Sequence, residues 1–161
     1  AVSSGQADFG LCFAKNLPAS IEFTPLADDR YVAACRHDHP LARNTHLSWQ
    51  AYFEQDYIGL DRVSGNRTLL DRELAHLTPA RPSICETRHV TTMLGMVEAG
   101  IGIAAVPAMS MPAGEHSVLR AVPLTDPVVT RTVGLIRLSG RIQSYVAAEL
   151  EKLIIEQYPS G

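Results

Sequence analysis

Two short segments of the sequence contain residue types that could hold an anion. Ser64-Gly65-Asn66 precedes leucines at helical spacing, and Thr87-Arg88-His89 follows a short apolar segment. Backbone N–H groups at a helix N-terminus favour an anion, and ligands of α/β sheets bind at the carboxyl ends of strands. The hydroxyls of Ser64 and Thr87 could therefore contact a ligand carboxylate. The alternative is that both residues only cap their own helices and that the rest of the second segment is solvated.

Two further pairs of residues lie where predicted strands end. Cys12 and Phe13 close the first apolar segment, and Val106 and Pro107 close a later one. These positions suit the apolar wall of a ligand site. They suit ordinary core packing equally well, since a free cysteine behaves as a small buried hydrophobe.

Cys35, His37 and His39 form a C-x-H-x-H cluster that could bind a metal. Zinc requires about four ligands, usually supplied by two short motifs, and the sequence has no second motif. We therefore predict neither a metal site nor a cofactor, and a metal- or thiol-dependent enzyme built on this cluster is the weaker alternative. Cys85 has no nearby resolving cysteine, so a buried strand position is favoured over a redox sensor.

Composition restricts the class of protein. The chain has 161 residues, of which 46% are apolar and 19% charged, and its formal net charge is −3. An acidic balance argues against nucleic-acid binding by this chain, because such binding rests on a basic face. No apolar run is long enough to span a membrane. Three widely spaced cysteines indicate a reducing compartment, so we expect a cytoplasmic protein.

Short apolar segments alternate with amphipathic ones, which predicts an α/β fold. One helix is expected along the face of Leu70, Leu74 and Leu77. Residues 16–25, with two prolines, are expected to form a loop that can include the end of a strand. Strands are predicted at 9–13, 31–35, 57–60, 83–86, 101–106, 118–124 and 132–138. The other predicted helices are 47–53, a segment from Thr87 to Ala99, and a C-terminal helix with an apolar stripe of Ile142, Val146, Leu150, Leu153 and Ile154.

Five motifs in this order resemble the effector-binding half of the LysR-type transcriptional regulators. The most specific is Met96 to Pro107, which resembles M-V-x-A-G-x-G-I-x-x-L-P. The others are Val2 to Leu11, which resembles V-x-x-G-x-x-D-x-G-I; Pro25-Leu26 to Val32 with His39-Pro40-Leu41-Ala42; Leu47-Ser48-Trp49; and Ile58 to Leu60 followed by Ser64-Gly65-x-Arg67.

The resemblance implies a fold like that of type 2 periplasmic binding proteins, with two α/β lobes joined by two crossing strands and a ligand cleft between them. The first lobe would comprise residues 1–35 and 118–161, and the second residues 36–117. The family's domain usually begins with a further strand, helix and strand, so the first lobe is expected to be incomplete. The turn at Ser64 faces the cleft in this family.

The function implied by the resemblance is ligand sensing without catalysis. A small effector, a carboxylate or another anion, would bind between the lobes and shift their arrangement. The partners implied are a second copy of the chain, as homodimer or tetramer, and DNA through a helix-turn-helix absent from this sequence, with no membrane contact. A solute-binding protein of a transport system is the alternative, because its fold would be similar.

Overall fold

The computed structural model describes residues 1–13, 16–114 and 118–158. Its strands are β1 (Phe9–Phe13), β2 (Ile21–Arg36), β3 (Leu47–Ser48), β4 (Tyr57–Leu60), β5 (Cys85–Thr87), β6 (Ile103–Pro107), β7 (Leu119–Thr125) and β8 (Thr130–Leu138). Its α-helices are α1 (Trp49–Phe53), α2 (Gly65–Glu73), α3 (Val90–Glu98) and α4 (Tyr145–Gln157). The mixed α/β class expected from the sequence is confirmed.

The chain divides into two compact units, one formed by residues 1–29 and 130–161 and the other by residues 30–129. The chain passes from one unit to the other within β2 and again immediately before β8. The sequence analysis places the lobe boundaries at 35/36 and 117/118 instead, and that assignment of segments to lobes stays a prediction. No helix in the described part of the chain is long and apolar enough to cross a membrane.

The first unit contains an antiparallel arrangement of β1, β8 and the beginning of β2. Phe9 lies opposite Arg137 and Phe13 opposite Val133 in the β1–β8 register. The helix α4 begins after Ser144, whose hydroxyl accepts a hydrogen bond from the N–H of Ala147 at 3.2 Å. This is the usual N-cap interaction of serine.

The second unit contains a mixed sheet in the order β3, β7, β2, β6, β4, β5. Strands β4, β5 and β6 are mutually parallel, and the second half of β2 runs antiparallel to β6. One face of this sheet packs against α3 through Met93, Leu94 and Val97, which are all buried. The other face is covered by α1, whose Trp49 and Tyr52 are 1% and 2% exposed.

One long strand replaces the second half of the loop predicted at residues 16–25. Strand β2 runs without interruption from Ile21 to Arg36, and the exposed Pro25 lies within it. Proline is tolerated in a strand where its missing N–H is not required by a neighbour. Side chains of β8 hold this part of the strand, since Thr132 donates to Asp28 and Arg137 to Glu22. The loop prediction is correct for residues 16–20 and wrong for residues 21–25, because long-range pairing there outweighs the local proline signal.

Helix α2 is shorter than the leucine spacing predicts. It ends at Glu73, and Leu74 and Leu77 lie in the turns that follow. The three leucines nevertheless contribute to the same apolar cluster, with Leu74 buried and Leu70 and Leu77 partly buried. The predicted face is therefore correct, whereas the predicted length is wrong.

The apolar stripe of α4 does not face the core of its unit. Ile142 precedes the helix and is 93% exposed, and Val146 is 75% exposed. The buried residues of α4 are instead Ala147 and Glu151. Glu151 accepts a 2.7 Å hydrogen bond from the side-chain amide of Gln143. Periodicity located the helix, but it could not identify the side of the helix that is covered.

Candidate functional site

The carboxyl ends of three parallel strands meet at one edge of the sheet in the second unit. Leu60 of β4 lies opposite Thr87 of β5, and β4 also pairs in parallel with β6, which ends at Pro107. Tyr31 of the antiparallel strand β2 lies opposite Pro107. This edge therefore brings together the predicted turns at 64–66 and 87–89 and the strand end at 106–107. It is the position at which α/β sheets usually bind ligands.

The Ser64 turn leads directly from β4 into α2. The N–H of Ser64 donates to the carbonyl of Asp61 at 2.9 Å, and its carbonyl accepts from the N–H of Thr68 at 3.1 Å. Its side chain makes no capping hydrogen bond to the helix. The alternative that Ser64 acts only as a side-chain cap is therefore wrong, because its backbone begins the helix while its hydroxyl does not cap it. Gly65 is the first residue of α2.

Asn66 is held by a strand of the same unit. The hydroxyl of Tyr31 donates a 2.9 Å hydrogen bond to Oδ1 of Asn66. Tyr31 is 1% exposed, so its ring is fixed in the core while its hydroxyl reaches the first turn of α2. The sequence analysis missed Tyr31. Its position at the start of the predicted strand 31–35 was the available signal.

The Thr87 segment lies beside the Ser64 turn. The carbonyl of Thr87 accepts a 2.9 Å hydrogen bond from the N–H of Asp61, and an oxygen of Asp61 lies 3.9 Å from Nε of Arg88. Thr87 is the last residue of β5, so the prediction that it caps the next helix is wrong. The N-cap of α3 is His89, which makes no side-chain capping bond. Asp61, which the sequence analysis also missed, directly follows β4.

Val106 and Pro107 form the end of β6 and are both buried. Val106 belongs to the cluster packed against α3, with 0% of its surface exposed. Core packing therefore accounts for Val106. Pro107 is also fully buried, so a ligand could reach this strand end only through the residues that follow it.

Cys12 and Phe13 lie in the first unit, at the end of β1, and both are half-buried. Burial raises the pKa of the Cys12 thiol, which makes it a poor nucleophile at neutral pH. The Phe13 ring lies 5.3 Å from the guanidinium carbon of Arg131, a cation–π contact. Arg131 also donates to the buried carboxylate of Asp29 at 2.9 and 3.1 Å.

The C-x-H-x-H cluster does not converge on a common point. Cys35 is fully buried in the core of its unit, and Nδ1 of His39 accepts a 3.2 Å hydrogen bond from the N–H of Leu41. His37 contacts the carbonyl of Val118. Within residues 1–13, 16–114 and 118–158 there is no group of three or more His, Cys, Asp or Glu side chains arranged to hold a metal.

Comparison with known proteins identifies the family to which this architecture belongs. The family model described as "LysR substrate binding domain" matches residues 1–159. The chain belongs to the LysR substrate-binding domain family. The resemblance seen in the sequence motifs is therefore confirmed, and the matched relatives are transcriptional regulators.

A relative in Escherichia coli (strain K12) is named as the uncharacterized HTH-type transcriptional regulator YbhD. It is 39% identical over 154 residues, which are 96% of this chain and 49% of that protein. The chain thus spans about half the length of the curated relatives it matches.

Solved structures of effector-binding domains share the fold. The effector-binding domain of QuiR in complex with shikimate superposes with a TM-score of 0.80 at 22% identity, covering 98% of this chain and 74% of that one. The BenM effector-binding domain with its effector benzoate gives a TM-score of 0.73 at 23% identity, covering 99% and 75%. The type 2 periplasmic-binding-protein-like fold expected from the sequence is confirmed, while the alternative of a transport protein is not supported.

Proposed function

We propose that this LysR substrate-binding domain senses a small carboxylate at the carboxyl edge of the sheet in its second unit. Ser64, Asn66 and Thr87 are the proposed contacts, with Gly65, Arg88 and His89 around them, and the fully buried Pro107 stays a prediction of the sequence analysis. The observation that carries the proposal is the Ser64 hydroxyl, which lies at the N-terminus of α2 without capping it. Cys12, Phe13 and Val106 stay predictions of the sequence analysis.

The anionic character of the ligand is supported by two helix N-termini at this edge. Helices α2 and α3 each contain nine residues, and neither has a side-chain cap at its N-terminus. Their first-turn N–H groups and dipoles favour negative charge. The molecules bound by QuiR and BenM, shikimate and benzoate, are both carboxylic acids.

The proposed regulatory action belongs to a longer protein. The ligand would favour one arrangement of the domain by its differential affinity for it, and the change would reach DNA through a helix-turn-helix outside this sequence. A homodimer or tetramer and a cytoplasmic location, where DNA is accessible, are part of this proposal. The domain would bind its effector without chemical conversion.

A thermal-shift measurement with benzoate and shikimate tests the proposal, with methyl shikimate as an uncharged, non-aromatic analogue of shikimate. A ligand that binds only the folded state at 100 times its Kd stabilises that state by about 2.7 kcal/mol. For a domain of this size, the corresponding rise in Tm is about 5–10 °C. We expect a rise with at least one carboxylate and none with methyl shikimate.

The matched variants are Ser64→Leu and Thr78→Leu. Ser64 lies in the proposed site, whereas Thr78 lies in an exposed loop of the same unit. The carboxylate-dependent rise in Tm should disappear in Ser64→Leu and persist in Thr78→Leu. An equal rise in both variants would remove the Ser64 turn from the binding site.

A further inference from the structure

A second cavity, partly open to solvent, is lined by residues of α2 other than the proposed effector contacts. It is a cavity of about 480 Å³ within the second unit. Helix α2 contributes to it through Arg67, Leu70 and Asp71, whereas Ser64 and Asn66 do not line it. The cavity and the proposed effector site therefore involve different side chains of the same helix.

Four aromatic rings form one wall of the cavity. Trp49, Tyr52, Phe53 and Tyr57 all line it, and their neighbouring ring centroids are 5.2–6.0 Å apart. Three of these rings are less than 10% exposed, and Phe53 is half-buried. Apolar walls of this kind, with a volume of about 300–1,000 Å³, are typical of small-molecule sites.

The polar groups of the aromatic wall already have partners in the protein. The Tyr52 hydroxyl accepts a 2.9 Å hydrogen bond from the N–H of Ala105. The Tyr57 hydroxyl donates to the carbonyl of Arg81 at 3.0 Å. Burial raises the pKa of both phenols, so both stay neutral at physiological pH. A ligand in this space would meet neutral aromatic faces.

Charges at the cavity rim balance one another. Arg67 donates to Asp71 at 2.7 Å and to Glu86 at 3.4 Å, and Arg81 donates to Asp56 at 3.1 Å. Both guanidinium groups are therefore already paired with carboxylates. A ligand carboxylate would gain no uncompensated positive charge and would meet the exposed Asp71 and Glu86.

We propose that this cavity binds an uncharged, single-ring aromatic molecule. The ring would pack against the aromatic wall in the offset or edge-to-face geometries that such rings prefer. It would enter at the segment that follows α2, where Ala75, Pro79 and Ala80 line the cavity and are exposed. The proposal does not depend on the carboxylate site.

Trp49 provides a direct readout, because it is the single tryptophan of the chain and lines the cavity. Iodobenzene is a suitable probe, since its heavy iodine atom quenches tryptophan fluorescence at short range from within the cavity. We expect saturable quenching by iodobenzene, and little quenching by aqueous iodide because Trp49 is 1% exposed. The carboxylate 4-iodobenzoate should require at least a tenfold higher concentration for half-maximal quenching.

Two cavity-filling variants and one control locate the probe. Ala75→Phe and Leu70→Phe each add volume to residues that line the cavity, whereas His76→Phe changes an exposed neighbour that does not line it. In at least one folded filling variant, the iodobenzene concentration for half-maximal quenching should rise tenfold or more. It should not change in His76→Phe.

The proposal would be overturned by non-saturable quenching of the folded chain, or by equal saturable quenching in all three variants. Quenching by 4-iodobenzoate at concentrations as low as those of iodobenzene would overturn the uncharged ligand class. None of these results would affect the carboxylate site, because its contacts lie outside the cavity.

Discussion

The hydroxyl of Tyr31 donates a 2.9 Å hydrogen bond to Oδ1 of Asn66 and thereby joins β2 to the first turn of α2. The two residues are 35 positions apart in the sequence. Tyr31 is rigidly placed by its buried ring, so the bond fixes the turn that carries Ser64 and Asn66. The proposed ligand contacts are thus ordered by a residue that belongs to the core.

Removal of this hydroxyl by Tyr31→Phe should loosen the turn without changing the shape of the core. We expect the free energy of unfolding to fall by about 0.5–1.5 kcal/mol, the usual contribution of one hydrogen bond. Urea denaturation measures this change. The control is Tyr145→Phe, since Tyr145 is 80% exposed. Equal stability of Tyr31→Phe and the parent chain would contradict the structural role of the bond.

The two serines that precede α2 and α4 should respond differently to removal of their hydroxyls. Ser144 accepts from the N–H of Ala147, whereas Ser64 makes no capping bond. Ser144→Ala should lower the free energy of unfolding by about 1 kcal/mol, and Ser64→Ala by less than about 0.5 kcal/mol. Chemical denaturation of both variants provides the comparison. A larger loss in Ser64→Ala would mean that its hydroxyl stabilises the helix.

Among the ion pairs in the described part of the first unit, the one between Asp29 and Arg131 should contribute most to the free energy of unfolding. The Asp29 side chain is fully buried and that of Arg131 is 15% exposed. Asp29→Ala leaves the guanidinium without this partner and should cost about 3–5 kcal/mol. The control is Glu22→Ala, whose exposed pairing with Arg137 contributes much less because water screens it. Similar losses in the two variants, measured by denaturation, would contradict the difference in burial.

Cys35 should resist alkylation until the protein unfolds. Burial raises the pKa of both Cys35 and Cys12, so each contains less thiolate at a given pH than an ordinary cysteine. At pH 7 we expect iodoacetamide to modify Cys35 only in denaturant. Cys12 is half-buried, and its modification should accelerate as the pH is raised towards its elevated pKa. Mass spectrometry of the alkylated peptides tests this, and rapid native modification of Cys35 would contradict its burial.

The sequence predicted the elements of this fold better than their ends and their packing. The strand expected at 57–60 is present, and the helix expected between Thr87 and Ala99 is present as α3. These patterns succeed because each segment buries its own apolar residues. The exposed stripe of α4 shows the opposite case, since periodicity does not indicate which face of a helix has a neighbour.

The candidate site was partly visible in the sequence. The turns at 64–66 and 87–89 were identified because they follow apolar strands. Tyr31 and Asp61 were missed, because their roles depend on which strands become neighbours. The cavity beneath α2 was also missed, since its wall combines α1 and β4 with residues that follow α2.

The most direct test of the carboxylate site is ¹H–¹⁵N chemical-shift mapping of the chain during titration with benzoate and shikimate. We expect at least one of them to shift the backbone amides of residues 64–66 and 87–91 most strongly, in a saturable manner. Methyl shikimate should leave these amides unchanged. Saturable shifts confined to other parts of the chain, or no saturable shift with either carboxylate, would contradict the proposed site.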